Sequence, residues 1–166
     1  MIIINDKQIQ IGKAEKAADK EYLAHCFSAK DFQLYITDTP LIEDYLLFKY
    51  NQENVGCFSI NYTEQYGVRS CNPILYVEKR LLSTVCLIAM FKYIFESFNI
   101  DKISFVVFEH NLPCILVLKK LQVHCDGELK YYRQDSKRYL SCYIFSILPE
   151  EYMMLREKIN SFFYGY

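Results

Sequence analysis

One stretch constrains the fold of this chain more than any other. It runs from Asn72 to Asn111 and reads as a strand, a short turn, a long apolar helix and a second strand. The first strand is Pro73-Ile74-Leu75-Tyr76-Val77, entered from Asn72, and the turn is Glu78-Lys79-Arg80-Leu81-Leu82. The helix spans Ser83 to Asn99, and the second strand, Lys102–Phe108, runs into Glu109-His110-Asn111. Within the helix Val85, Leu87, Ile88, Met90, Phe91, Ile94, Phe95 and Phe98 recur at helical spacing and spread past one face, so most of its surface should be buried. Ser83 or Thr84 is placed to cap its start and Asn99 to stop it. A helical crossover joins parallel neighbours, so the strands on either side of it are expected to run parallel.

The rest of the chain supplies layers around this unit. Lys7–Lys13 alternates polar and apolar residues, the mark of a half-buried strand that Met1–Ile4 extends or begins. Ala14–Ser28 reads as a helix whose inner face carries Ala17, Tyr22, Leu23, Cys26 and Phe27. Lys30–Ile36 is helical or irregular, and Thr37–Pro40 breaks it. Asp44–Tyr50 and Val55–Tyr62 read as antiparallel strands about a turn at Asn51–Asn54, with Gly56 marking a bulge or a close backbone approach. A polar connection, Thr63–Ser70, leads to the strand before the long helix. After Asn111, a cap with Pro113 in the first turn opens a helix through Leu121. Strands follow at Val123–Tyr132 and Arg138–Ile147, turning at Gln134–Lys137, and a last helix from Leu148 carries Tyr152, Leu155, Ile159 and Phe162. The order implies one α/β (α+β) domain over residues 1–166, with a mixed, mostly antiparallel sheet and flanking helices.

Charge and cysteines narrow the function. Nineteen basic against 20 acidic residues, with no long basic block, disfavour nucleic acid as a partner. Lys92 and Glu96 interrupt the long helix, so it is too short to span a membrane, and the N-terminus lacks the basic start of a signal peptide. Seven cysteines without a C-x-x-C pair are expected to be reduced, mostly buried thiols of a cytoplasmic protein, and no metal site is expected.

Four segments together resemble one superfamily. Tyr93–Ile103 is similar to the pattern Y-A-F-E-x-L-G-L-x-R-I, and Asn111–Leu121 to N-x-x-S-x-x-V-L-E-K-L-G-F. Gly127-Glu128-Leu129 resembles E-G-x-L, and Ile147–Tyr152 resembles I-L-x-x-E-W/Y. In this order they resemble the GNAT acetyltransferases, in particular the branch of ribosomal-protein and nucleotide-aminosugar acetyltransferases. The resemblance implies a single GNAT-like domain whose sheet splays between two parallel strands, with the pantetheine arm of acetyl-CoA in the split. It implies transfer of an acetyl group to a primary amine. A small amine such as a nucleotide-linked amino sugar is expected ahead of a protein N-terminus, in a monomer or homodimer. The other reading is a non-catalytic GNAT-fold binding protein with a degenerate CoA site.

The resemblance also assigns residues. Tyr76, Val77, Lys79, Arg80, Leu81, Leu82, Ser83 and Thr84 occupy the strand end and turn that hold CoA, and Asn111 is the CoA-contacting asparagine. The turn departs from the family's Q/R-x-x-G-x-G/A: Leu81 and Ser83 stand at the glycine positions. Lys79 and Arg80 offer charge there, and Ser83 and Thr84 offer hydroxyls. Glu78, at the end of the strand, is a candidate base, as is His110. Cys114 stands where this branch has a serine that donates a proton to the departing thiolate, and a thiol at a helix start can have a lowered pKa. The family's alternative tyrosine donor is absent, its place taken by Leu118. Tyr131, Tyr132 and Tyr139 are candidates for the acceptor side, and His124 reads as structural.

Overall fold

The computed structural model describes residues 2–4, 7–29, 45–135 and 138–164. The expected irregular piece at 30–36, its breaker at 37–40 and part of the turn at 134–137 fall outside the described residues. The architecture is α+β, in two compact units: Met1–Asn61 with Pro73–Phe98, and Tyr62–Asn72 with Asn99–Tyr166. No helix of the described residues is long and apolar enough to cross a membrane.

The first unit is an antiparallel sheet with two helices. Its strands are β1 (Ile2–Ile4), β2 (Lys7–Lys13), β3 (Tyr45–Tyr50), β4 (Glu53–Ser59) and β7 (Leu75–Val77), in the order β1-β2-β3-β4-β7. Met1–Ile4 therefore contributes a strand of its own, with Ile2 opposite Ile9. Asn51 and Gln52 both have positive φ (51° and 67°), the twist that a tight β3–β4 hairpin needs. Phe48 lies opposite Gly56 but Lys49 lies opposite Asn54, so Val55 is the extra residue of a bulge.

Gly56 has a second reason to be glycine. It pairs with Val77, and a Cβ there would lie 2.4 Å from the Tyr76 carbonyl oxygen. Gly56→Ala is therefore expected to push β7 off β4 at a cost of about 1–3 kcal/mol, read as a lower midpoint in urea with unchanged slope.

Two helices cover this sheet. Helix α1 (Ala17–Ser28) starts three residues later than expected, and its buried residues are Asp19, Leu23 and Cys26. Ala17 is exposed, and Asp19 is buried because Lys49 Nζ reaches both its carboxylate oxygens at 2.9 Å and Asn54 Nδ2 donates to Oδ1 at 3.1 Å. A buried carboxylate is tolerated when it is paired in this way.

Helix α2 (Ser83–Ser97) buries Val85–Phe91 and Ile94, as its apolar spread requires. Phe48, Phe58, Phe91, Met90 and Ile94 are fully buried, each worth roughly 1.5–3 kcal/mol of transfer free energy. The start of α2 corrects the expected cap. The cap residue is Leu82, with no side-chain hydrogen bond, and Ser83 and Thr84 lie inside the first turn. The burial of Leu82, at 5% exposure, draws the chain through a 3-10 turn at Arg80–Leu82 and starts the helix sooner. The helix ends at Ser97, and its C-cap is Phe98 where Asn99 was the expected stop.

The second unit holds β5 (Tyr62–Gln65), β6 (Val68–Cys71), β8 (Lys102–Phe108), β10 (Arg138–Ile147) and β9 (His124–Asp135), in that order across its sheet. Helices α3 (Leu112–Lys120) and α4 (Pro149–Tyr164) complete it. The expected polar connection at 63–70 is a hairpin. Tyr66 and Gly67 both have positive φ, which lets β5 fold back on β6. The parallel partner of β8 is also shifted. Ser70 pairs with Lys102 and Cys71 with Ile103, so the parallel ladder lies just before the strand expected to form it. The ladder ends there, and the next strand of the chain, β7, is the terminal strand of the other sheet. The Asp101 carboxylate anchors the short ladder by accepting from the Arg69 backbone N–H at 2.8 Å. The side chains of Ile159 and Phe162, expected on the inner face of α4, are outside the described residues, whereas Tyr152 is buried.

Candidate active site

In the first unit, the site builds on the end of β7. Tyr76 and Val77 lie opposite Cys57 and Gly56, and the next backbone N–H, that of Glu78, donates to the Val55 carbonyl at 3.0 Å. The bulge of β4 thus reaches across to fix the residue where β7 ends. The Glu78 side chain is half-exposed and meets helix α1. The Tyr22 hydroxyl donates to Oε2 at 3.1 Å, and His25 Nε2 lies 3.7 Å from Oε1. Burial, the Cys26 thiol and the carboxylate itself push the Tyr22 hydroxyl well above the usual tyrosine range, so it stays protonated and acts as a donor. Behind it, Cys57 is pushed far up by the hydrogen bond it shares with Cys26 and by burial, so that thiol stays protonated too.

The turn after Glu78 has one residue fewer for an anion than the sequence implied. Lys79 Nζ sits 2.6 Å from Glu53 Oε2, so its charge is already matched, and the ion pair holds the Glu53 carboxyl below the usual range. Arg80 is exposed, Leu81 is 92% exposed and packs on little, and Leu82 turns into the core. Ser83 and Thr84 are half-buried in the first turn of α2. No side chain caps this helix, but the 3-10 turn before it supplies backbone acceptors: the Leu82 N–H donates to the Lys79 carbonyl at 2.8 Å and the Ser83 N–H to the Arg80 carbonyl. Two hydroxyls and Arg80, beside the positive end of the helix dipole, are a set of groups that suits a pyrophosphate. The residues present therefore fit the phosphate end of CoA despite the missing glycines.

In the second unit, three of the expected residues gather at the start of α3. Asn111 caps the helix: its Oδ1 accepts from the Cys114 N–H at 3.3 Å, and Pro113 sits in the first turn as expected. The cap uses the oxygen and leaves the Nδ2 amide as a donor. The His110 ring is exposed and stacks on Phe108, with centroids 5.9 Å apart. Cys114 overturns the expectation of a lowered pKa. Burial pushes its thiol up to about 11, outweighing any help from the helix end, so it is a neutral thiol at pH 7. The thiol therefore keeps its proton, and the same shift makes it a weaker acid than an ordinary cysteine.

The remaining expected residues lie on β9 and β10 of the second unit. Tyr131 and Tyr139 are exposed and meet edge to face at 5.5 Å on the β9–β10 hairpin, whereas the Tyr132 side chain is outside the described residues. His124 is exposed, with Nε2 3.9 Å from Asp126 Oδ1. The residues that sequence reasoning missed as site residues are Tyr22 and His25. Their spacing puts both on one side of α1, but Tyr22 reads as core and His25 as surface until Glu78 is seen beside them.

The sequence matches no family model and no curated protein. Solved structures do match. The spermidine N-acetyltransferase of Vibrio cholerae, in complex with CoA and spermine, superposes with a TM-score of 0.74 over 88% of this chain and 98% of its own, at 13% identity. The fold is that of the GNAT acetyltransferases. A GNAT-family acetyltransferase from Bacillus anthracis gives 0.68 over 90% and 99% of the two chains at 16% identity. One from Streptococcus pneumoniae gives 0.63 over 85% and 99% at 15% identity. These GNAT matches span nearly the full length of the solved chains, so the fold likeness is not confined to one half of the molecule.

Proposed function

We propose that this chain is an acetyl-CoA-dependent N-acetyltransferase acting, as one domain, on the primary amine of a small molecule. The observation that carries the reading is Glu78, held by Tyr22 at the end of β7, followed by Arg80 in the 3-10 turn and by Ser83 and Thr84 in the first turn of α2. By the resemblance a GNAT fold needs phosphate-binding donors and a base in this region, and these residues are chemically suited to the two roles. Arg80 and the hydroxyls of Ser83 and Thr84 hold the pyrophosphate at the start of α2. Glu78 takes the proton from the ammonium, directly or through one water, so that the neutral amine can attack the thioester carbonyl.

The acceptor follows from the same parts. A base at the end of β7 serves any small primary amine, and resemblance favours the amino group of a nucleotide-linked sugar. The V. cholerae protein named above acts on spermidine, so polyamines form the natural second class. The test is incubation with acetyl-CoA and either amino-sugar nucleotides, polyamines or peptides with free N-termini, following thiol release and product mass. Turnover of a small amine is expected. Turnover of peptides alone would replace the acceptor class, and no turnover with any amine would defeat the enzymatic reading.

A companion prediction concerns Arg80, the one cation of the turn not paired within the described residues. Arg80→Ala is expected to weaken acetyl-CoA binding by about tenfold, the loss of one charge-assisted hydrogen bond of about 1.5 kcal/mol, with no change in folding midpoint. Titration calorimetry reads it. An unchanged affinity would place the phosphates elsewhere.

A further inference from the structure

We infer that Tyr22 is a positioning residue for Glu78, the hydroxyl that fixes which carboxylate oxygen receives the proton. This rests on the reading of Glu78 as the base, and the geometry of α1 adds what that reading lacks. A glutamate on an open turn can rotate about its side-chain torsions, and its carboxylate presents either oxygen in many directions. Here Oε2 accepts the Tyr22 hydroxyl at 3.1 Å, which leaves Oε1 as the oxygen open to an incoming proton. The backbone of the same residue is pinned through its N–H to Val55. Both ends of Glu78 are thus held, one by the β4 bulge and one by α1.

Tyr22 is itself held. Its ring packs, half-buried, against the core cluster of Leu23, Cys26, Tyr45, Leu47 and Cys57. A donor mounted on a packed ring costs little ordering when it acts, which is the requirement for a group that orients another. His25 approaches the other oxygen from solvent at 3.7 Å, beyond hydrogen-bond length, with 64% of its side chain exposed. It is therefore a neighbour of the proton-accepting oxygen rather than a clamp on it.

The test is a mutant cycle on the full chain. Tyr22→Phe keeps the ring and removes the hydroxyl. It is expected to lower kcat by about tenfold to a hundredfold, the equivalent of one hydrogen bond to a charged group, with acetyl-CoA affinity and folding midpoint unchanged. In a Glu78→Gln background the same change should have little further effect, because residues that act as a unit are not additive. His25→Gln should cost much less than Tyr22→Phe. A normal kcat in Tyr22→Phe, losses that simply multiply, or a larger loss from His25→Gln would each overturn this inference while leaving Glu78 as the base. A Glu78→Gln variant as active as the wild type, or a wild type that acetylates no amine, would overturn the underlying reading and this inference with it.

Discussion

Glu78→Gln is expected to lower kcat for acetyl transfer by about 10²–10⁴-fold, the usual worth of a positioned general base. Glutamine keeps the shape and can still accept from Tyr22 through its side-chain oxygen, but it cannot take a proton from an ammonium ion. Acetyl-CoA affinity should be preserved, because the hydroxyls and Arg80 of the turn are untouched. The loss should shrink at high pH, where the acceptor amine enters already deprotonated. A steady-state pH series on both proteins checks this. A variant that loses CoA affinity and kcat together would mean that Glu78 shapes the turn instead of serving as base.

The second large effect is structural. Lys49→Met is expected to destabilise the fold by about 3 kcal/mol, since it strands a buried carboxylate that the lysine now neutralises. Asp19 is only 5% exposed, and Lys49 is itself partly exposed, so the figure belongs at the lower end of the range for broken buried pairs. At about 2–4 °C per kcal/mol for a chain of this size, the thermal midpoint should fall by about 6–12 °C. The pH dependence has a definite sign. Burial opposes ionisation of Asp19, but hydrogen bonds from Lys49 and Asn54 and the lysine charge outweigh it and hold the carboxyl below the usual range. A carboxyl depressed in the folded state stabilises fully above its unfolded value and loses that contribution as pH falls through the folded one. Wild type and variant should therefore differ most near neutral pH and converge in acid. Urea melts across that range would show it. A gap that widened on acidification would mean the pair is not what holds α1 to β3 and β4.

The fold was largely legible where burial imposes a period. Helix α2 announces itself because eight of its residues are buried, and β3 and β4 because their inner faces must match. Legibility failed where no such pressure acts. Every residue of β5 is exposed, so the β5–β6 hairpin carries no alternation, and only Tyr66-Gly67 hints at its turn. The cap of α2 was misplaced because a serine and a threonine are the better caps in isolation, whereas burial of Leu82 decides where the helix begins.

The site divides in the same way. Glu78, Asn111 and Cys114 could be placed by their positions at element ends, and Asn111 does cap α3. What the sequence could not show is pairing at a distance. Tyr22 and Glu78 are 56 residues apart, Lys79 and Glu53 are 26 apart, and neither contact has a local signature. The first holds the Glu78 carboxylate against α1, and the second matches the Lys79 charge within the turn. The Cys114 thiol was misjudged for a related reason. A helix start favours a thiolate, but burial by the surrounding fold dominates, and burial is a property of the folded chain.

The proposed function requires that a turn without glycine, Glu78 to Thr84, still binds CoA through Arg80 and the hydroxyls at the start of α2. Calorimetric titration of the full chain with acetyl-CoA tests it most directly. The expected result is saturable binding of one acetyl-CoA per chain below millimolar concentration, with a thermal midpoint that rises as ligand is added. No heat and no thermal shift at millimolar acetyl-CoA would contradict it, and would leave a GNAT fold that binds something other than CoA.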